Sequence, residues 1–363
     1  MATVPAEEKL AFETVPFLVK FVNPICNTMN DKHYNTHNLK KIQKTIVDGP
    51  QPLYELFNNE SVGRLLSSVQ LEYGPYLDRI SKKSLRFKMV DKGQDLAIIF
   101  GMNPAVFGEK YIQAISGDGQ EGRRIRTLHS SALLCLLCFY GLSEKRPLIM
   151  SLDGRSVKFT HSTFEVKTPI GTDETGRMHE SNMDVVLSGK DMATGKRVIF
   201  FLESKFSEYL SWGRYRGISN HVYWKTYAQL FNGNYLDRMG LKLEDSPEDE
   251  GYSDLSSIKG RTLHYAGGIK QMVSHCLGVS NATGSETYKD SDIYLGTILY
   301  RFPNSIDTEG RKFEDYNQIY SVLSEGLNDL FGSKVTILKQ CLTYQDVFKT
   351  YDMEDSIRTF YSL

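Results

Sequence analysis

The chain has 363 residues, 40% of them hydrophobic and 24% charged, a globular composition long enough to bury a sizeable core. Its 43 basic and 44 acidic side chains leave a formal charge of -1. That balance excludes global disorder and any bulk cationic field, so an anionic partner must be held by a local patch or through metal ions.

The five cysteines (Cys26, Cys135, Cys138, Cys276 and Cys341) are too few and too scattered for a disulfide framework. Cys135 and Cys138 form a C-x-x-C inside the apolar run from Ala132 to Leu142, with no His or Cys partner nearby, and read as buried helix cysteines. The segment from Met1 to Lys20 lacks a basic stretch followed by a long apolar one, so it does not read as a signal peptide. The longest apolar run is about half the ~20 residues a membrane helix needs. A soluble, cytoplasmic protein is expected.

Residues 1–115 read as a mainly helical N-terminal region of unknown role. Leu39, Ile42 and Val47 fall among lysines, and Pro52 to Ile80 has helix-like apolar spacing. The basic clusters Lys40, Lys41, Lys44 and Lys82, Lys83, Arg86, Lys88 read first as solvated helix faces. The glycine-containing segment from Ser116 to Gly122 then opens a second region, residues 116–363. Arg123 to Gly141 has the pattern of a long helix ending on glycine.

Arg155 to Thr168 alternates and is rich in β-branched and aromatic residues, which predicts a strand or hairpin; Asn182 to Ser188 and Arg197 to Lys205 are strand-like too. An aromatic and basic insertion around 206–260 follows, with an acidic stretch from Glu244 to Asp254 that reads as an exposed loop. His264 to Val279 is an amphipathic helix, with Ile269, Met272, Val273, Cys276 and Leu277 on one face. Asp292 to Phe302 is a further strand, Phe313 to Phe331 a helix, and Lys334 to Lys339 a late strand. The order from Arg123 is helix, three strands, helix, strand: an α/β (α+β) core with a mixed central sheet flanked by helices.

The chemistry concentrates at one strand end. Five consecutive apolar residues, Val198 to Leu202, predict a strand covered on both faces, and it runs directly into Glu203-Ser204-Lys205. The i, i+2 period points Glu203 and Lys205 to one side and Ser204 to the other. If Asp184 faces Glu203, the hairpin centres between Ala193 and Thr194, within a polar, turn-rich connection, and pairs Val186 with Phe201 and Ser188 with Ile199. Directly opposed Cβ atoms are ~5 Å apart, close enough for two carboxylates to share a cation. Two adjacent carboxylates repel, and one tends to take up a proton. A Mg²⁺ ion removes the conflict, because it prefers carboxylate and water oxygens. A lysine beside it can orient or help deprotonate a metal-bound water, or neutralise charge building on a phosphorane-like transition state.

Asp184 followed by Glu203-x-Lys205 after a hydrophobic strand resembles the signature of the PD-(D/E)XK (restriction-endonuclease-like) nuclease superfamily. The segments Asn182-Met183-Asp184-Val185 and Glu203-Ser204-Lys205-Phe206-Ser207-Glu208 are similar to an uncharacterised bacterial branch of it. The resemblance covers roughly Gly117 to Phe302 and implies an αβββαβ core, with Asp184 and Glu203 binding Mg²⁺ (Mn²⁺ as substitute) and Lys205 acting on the attacking water. Met183 stands where the family's name has proline. An additional upstream acid often joins such sites; Glu165 is the first candidate, with Glu121 and Glu180 as rivals. Gln271 and His275, one turn apart on the polar face of their helix, are similar to the Gln-x-x-x-Tyr element of some members, with histidine in place of tyrosine. This makes Gln271 a candidate catalytic residue touching phosphate or water, while His275 reads as structural.

Arg214, Arg216 and Lys225, interleaved with Trp212, Tyr215, His221 and Trp224, could neutralise phosphates and stack on splayed bases, and Arg123, Arg124 and Arg126 could add contacts. The expectation is therefore a Mg²⁺-dependent deoxyribonuclease of a restriction or defence type, acting on DNA and possible as a homodimer. Its alternative is a nuclease-fold DNA-binding or scaffold protein that has lost turnover. A glycosidase using Asp184 and Glu203 is the weaker third reading, since the adjacent lysine has no place in that chemistry.

Overall fold

The computed structural model describes residues 100–116, 130–173, 175–206, 208–211, 224–239, 268–302 and 310–363. Outside these it gives single positions at 97, 125 and 307 and short strands at 18–21, 69–72, 243–245 and 261–263. Two compact units share the chain: Met1–Gly141 with Phe348–Leu363, and Leu142–Val347.

In the first unit, strands β1 (Leu18–Phe21) and β2 (Val69–Glu72) pair antiparallel. The second lies inside the span that helical spacing suggested; its Val-Gln-Leu-Glu sequence alternates with the two-residue period of a strand, and a partner strand decides the matter. Helix α1 (Pro104–Ala114) starts on Asn103, whose side chain accepts the Ala105 N–H at 3.0 Å, with proline in its first turn. Helix α2 (Ser131–Phe139) is capped by Ser130 and buries every residue from Ala132 to Phe139. It is shorter than the sequence expectation, because the Ser130 Oγ takes the Leu133 N–H at 3.1 Å and sets the N-terminus there. Cys135 and Cys138 are both buried, as the apolar setting predicted.

The second unit is built on an open mixed sheet. Its strands are β3 (Leu148–Leu152), β4 (Arg155–Thr172), β5 (Met178–Asp191), β6 (Arg197–Lys205), and, beyond the small pair β7 (Leu243–Asp245) and β8 (Arg261–Leu263), β9 (Asp292–Leu299), β10 (Thr336–Ile337) and β11 (Leu342–Thr343). Sheet order is β10-β9-β6-β5-β4-β3, with β11 also on β9. β3 to β6 form an antiparallel meander, whereas β9 lies parallel to β6. A parallel neighbour needs a crossover, and helix α5 (Ile269–Ala282) supplies it. The helices α3 (Trp224–Asn232) and α4 (Tyr235–Arg238) precede α5 in the chain, and α6 (Arg311–Phe331), α7 (Tyr344–Val347) and α8 (Asp355–Tyr361) follow β9, α8 belonging to the first unit. The αβββαβ order is thus present, with β3 an added edge strand that the five-residue segment Leu148–Leu152 did not announce.

Val198 to Leu202 on β6 are fully buried, since β5 and β9 flank the strand. Helix α5 begins after Gly268, whose φ of 85° suits glycine, and lies close on β4. A Cβ at Gly278 would stand 2.3 Å from the Thr168 Oγ1, so glycine sets that approach. No described helix is long and apolar enough to cross a membrane.

Candidate active site

The buried run of β6 ends by delivering Glu203 and Lys205, only 3% and 7% exposed, to one side. Ser204 points the other way, and its hydroxyl meets the Tyr344 OH at 2.7 Å. The hairpin register is the one the sequence implied: Val186 faces Phe201 and Ser188 faces Ile199. The turn is fixed by Asp191, whose carboxylate accepts the N–H groups of Ala193 and Thr194 at 2.8 and 2.7 Å. Carried forward, this register sets Asp184 opposite Glu203. The β5–β6 ladder stops one pair earlier, at Val185↔Leu202, and the Asp184 carboxylate itself accepts the Ser204 N–H at 2.6 Å.

On the other side of β5, Phe164↔Val185 and Val166↔Met183 flank the position at which Glu165 stands opposite Asp184. Glu165, Asp184 and Glu203 therefore fall in one row across three adjacent strands. Glu165 has a φ of 49°, a left-handed conformation unusual for a strand residue and the kind of local strain that gathers at functional sites. Glu180 lies four residues from the row, exposed, opposite Pro169 and 3.8 Å from Lys167. Glu121 lies outside the described residues.

Helix α5 brings two more groups to the strand end. Gln271 Oε1 accepts a hydrogen bond from Lys205 Nζ at 2.8 Å. His275 is 3% exposed, and its Nε2 lies 2.8 Å from Glu203 Oε2. The expected position of His275 on a polar face is corrected here: at Gln271 that face meets solvent, but one turn later it has turned in against the sheet. His275 Nδ1 is hydrogen-bonded to the Ser181 hydroxyl. Lys205 Nζ also pairs with Glu203 Oε1. A continuous chain thus runs Ser181, His275, Glu203, Lys205, Gln271. Sequence reasoning missed Ser181 altogether, because nothing local marks it as a partner of a helix 94 residues away. It also passed over Glu208, which accepts the Phe206 N–H at 2.6 Å just past β6.

Charge is divided unevenly over this row. Burial opposes ionisation of Glu203, but the ammonium of Lys205 and the hydrogen bond from His275 outweigh it and hold its pKa well below the usual carboxylate range. Burial likewise works against the Lys205 charge, and the carboxylates of Glu203, Glu208 and Asp184 together outweigh it, so its pKa is raised. Asp184 goes the other way. Loss of hydration, then the negative charges of Glu203 and Glu165, push its pKa well above the ordinary value, with Lys205 and the Ser204 N–H only partly offsetting them. Asp184 and Glu165 retain part of their exposure and Gln271 is exposed, so the row opens to solvent on their side.

The donor set can be tested against a divalent ion on these observations. Among the described residues no three His, Cys, Asp or Glu side chains form a ready-made cage. Mg²⁺ does not ask for one, since it binds through one or two carboxylates and keeps water and phosphate oxygens as its other ligands. Loss of hydration first, and then the charges of Glu203 and Glu165, raise the pKa of Asp184, and such an ion neutralises that crowding of negative charge. The residues present fit Mg²⁺ or Mn²⁺. Of the basic residues expected at a nucleic-acid surface, Lys225 is exposed on α3, while Arg123, Arg124, Arg126, Arg214, Arg216 and His221 lie outside the described residues.

The family described as Restriction Endonuclease associating with ARP matches residues 108–254. That span contains Glu165, Asp184, Glu203 and Lys205 and ends before α5. No curated protein and no solved structure matches the chain. The matched segment, taken with the mixed sheet flanked by helices that the chain forms, supports a restriction-endonuclease-like family.

Proposed function

We propose that the chain is a metal-dependent nuclease that hydrolyses phosphodiester bonds in DNA. The observation that carries this reading is the linkage of Glu203 to Lys205 and of Lys205 to Gln271, beside Asp184, at the solvent-reaching end of a buried strand. Asp184 and Glu203 would hold the ion, with Glu165 as a third carboxylate. Bound there, Mg²⁺ supplies Lewis acidity toward a phosphate oxygen and makes water a stronger acid.

The chain's own groups then have definite tasks. Lys205, with its pKa raised, is an ammonium with three donors and no acceptor capacity. It is suited to orienting water and neutralising charge that builds on phosphate oxygens, rather than to removing a proton. Gln271 spends its carbonyl oxygen on Lys205, which leaves its amide N–H groups for a phosphate oxygen. Asp184, short of counter-charge, is the carboxylate with most to gain from a cation. Lys225, with Arg214 and Arg216, is proposed to engage the DNA backbone, and a homodimer would let two such sites cut two strands.

One observation favours a second reading, a nuclease fold that binds DNA without turnover: both oxygens of Glu203 are already engaged, by Lys205 and by His275. Incubation of the full chain with plasmid and linear DNA in Mg²⁺ or Mn²⁺, beside Asp184→Asn and Lys205→Ala, decides between them. The nuclease reading expects cleavage by the wild type that chelator and both substitutions abolish. Cleavage that survives both substitutions removes these residues from the chemistry. DNA binding with no Mn²⁺ binding by calorimetry establishes the scaffold.

A further inference from the structure

Helix α5 sends two side chains, one turn apart, to the Glu203–Lys205 pair, and each takes one member: Gln271 accepts from Lys205, and His275 meets Glu203. The second contact is the better built. His275, Glu203 and Ser181 are each 3% exposed, and both ring nitrogens of His275 are engaged. An ionised carboxylate only accepts hydrogen bonds, so His275 Nε2 carries the proton that points at Glu203 Oε2. On the other side of the ring, Nδ1 is hydrogen-bonded to the Ser181 hydroxyl. An imidazole held at both ends cannot rotate, and neither can the carboxylate plane it donates to. Behind Glu203, β9 sets the buried Thr297 directly alongside in the parallel register.

We propose that His275, fixed in orientation by Ser181, is a positioning residue for Glu203: it ties down Oε2 and so, with Oε1 paired to Lys205, fixes the orientation in which the carboxylate meets the divalent ion. The inference rests on the nuclease reading above and deepens it. Ser181 and His275 lie in different elements, 94 residues apart, and His275 lies beyond the segment that matches the family. A carboxylate ligand oriented by a buried imidazole follows the general rule that partners behind a ligand set its geometry, with 10–100-fold effects on metal affinity when removed.

The test uses the full chain as wild type, His275→Phe, His275→Gln and Ser181→Ala, with circular dichroism to confirm folding. Mn²⁺ affinity is measured by calorimetry, and kcat and KM on duplex DNA are measured separately. His275→Phe, which fills the site without a donor, is expected to weaken Mn²⁺ binding and lower kcat by about 10–100-fold while KM for DNA stays put. His275→Gln, whose amide can still donate to Oε2, should recover most of both, and Ser181→Ala should fall between. A folded His275→Phe with wild-type Mn²⁺ affinity overturns the proposal, as does a His275→Gln no better than His275→Phe. If the phenylalanine variant does not fold, Ser181→Ala decides: unchanged Mn²⁺ affinity refutes the role. A wild type that binds no Mn²⁺ sinks the nuclease reading and this inference together, whereas a competent wild type with indifferent variants sinks this inference alone.

Discussion

Asp184 and Glu203 are chemically alike side chains facing one another, yet their surroundings drive them apart. Glu203 has a cation and an imidazole of its own; Asp184 has one backbone N–H and two neighbouring negative charges. A carboxylate whose pKa is raised by folding destabilises the fold once it is ionised, so Asp184→Asn should have two opposite effects. The metal-free protein melts at a higher temperature, because asparagine keeps an acceptor for the Ser204 N–H and carries no charge, while cleavage falls by on the order of 100-fold or more. Differential scanning calorimetry with and without Mn²⁺ checks this: the ion should raise the wild-type melting temperature and leave that of the variant unchanged. A variant that melts lower than wild type would mean that Asp184 is a structural acid. Lys205 gives the converse case. Lys205→Met leaves Glu203 buried with its main counter-charge gone, a loss of about 3–5 kcal/mol for a broken buried pair. Glu203→Gln with Lys205→Met should restore most of that stability in urea titrations without restoring cleavage. If the double variant is no more stable than Lys205→Met alone, the two groups are not energetically coupled.

At the scale of elements, the site depends on how closely α5 lies on the sheet, because Gln271 and His275 reach β6 only from that height. Gly278 marks the contact. An added methyl group would stand 2.3 Å from the Thr168 Oγ1 and 3.2 Å from the Thr168 carbonyl oxygen, so either the helix or the strand must move. Gly278→Ala should cost about 1–3 kcal/mol as overpacking and lower cleavage as well, although Gly278 touches no reacting group. Thr168→Ala in the same chain removes the hydroxyl and should recover part of both. Urea unfolding and initial cleavage rates on the same samples check it, and a stable, fully active Gly278→Ala would show that the helix has room to spare. This dependence explains what could be read from the sequence. The β5–β6 hairpin was legible because the apolar run Val198 to Leu202, the turn chemistry around Ala193 and the two-residue period are local, and together they fix the register of Asp184 against Glu203. Glu165 could be named only as the first of three candidates, since its place in the row depends on a ladder to β5 that nothing within β4 announces. The burial of His275 and its bond to Ser181 were hidden for the same reason at longer range. They follow from the close docking of α5 on β4, and a helical pattern shows which residues share a face but not which part of that face a neighbour covers. The added edge strand β3 was missed because five residues carry too little pattern.

At the scale of the whole sheet-bearing unit, its two ends titrate in opposite directions. Far from the site, Arg155 at the start of β4 bonds Asp191 at the end of β5 and Asp292 at the start of β9, both at 2.6 Å, and Lys196 joins Asp292. The Thr194 N–H and the Arg155 guanidinium hold the pKa of Asp191 down at about 2. Burial opposes ionisation of Asp292, but the bonds from Lys196 and Arg155 prevail and lower its pKa too. An unfolded aspartate titrates near 3.9. The stability these two groups contribute is therefore complete above that value and lost as pH falls from it toward 2. Asp184 has the reverse linkage: the stability of its protonated form is complete below the unfolded value and is lost as pH rises through its raised folded value. The metal-free protein should thus be most stable on the acid side of neutrality, with a falling limb on either side that belongs to a different end of the sheet. Arg155→Ala should lower stability at every pH above the unfolded aspartate value and flatten the acid limb, while leaving the slope of the neutral-side fall and the cleavage rate at pH 7 as they were. Asp184→Asn should flatten the neutral-side fall and leave the acid limb in place. Urea midpoints from pH 2.5 to 8, followed by tryptophan fluorescence, separate the two, because Trp212 and Trp224 both fall within the span of this unit. If both substitutions shift the same limb, the two ends do not titrate independently, and the buried, crowded setting of Asp184 is not what sets the neutral-side stability.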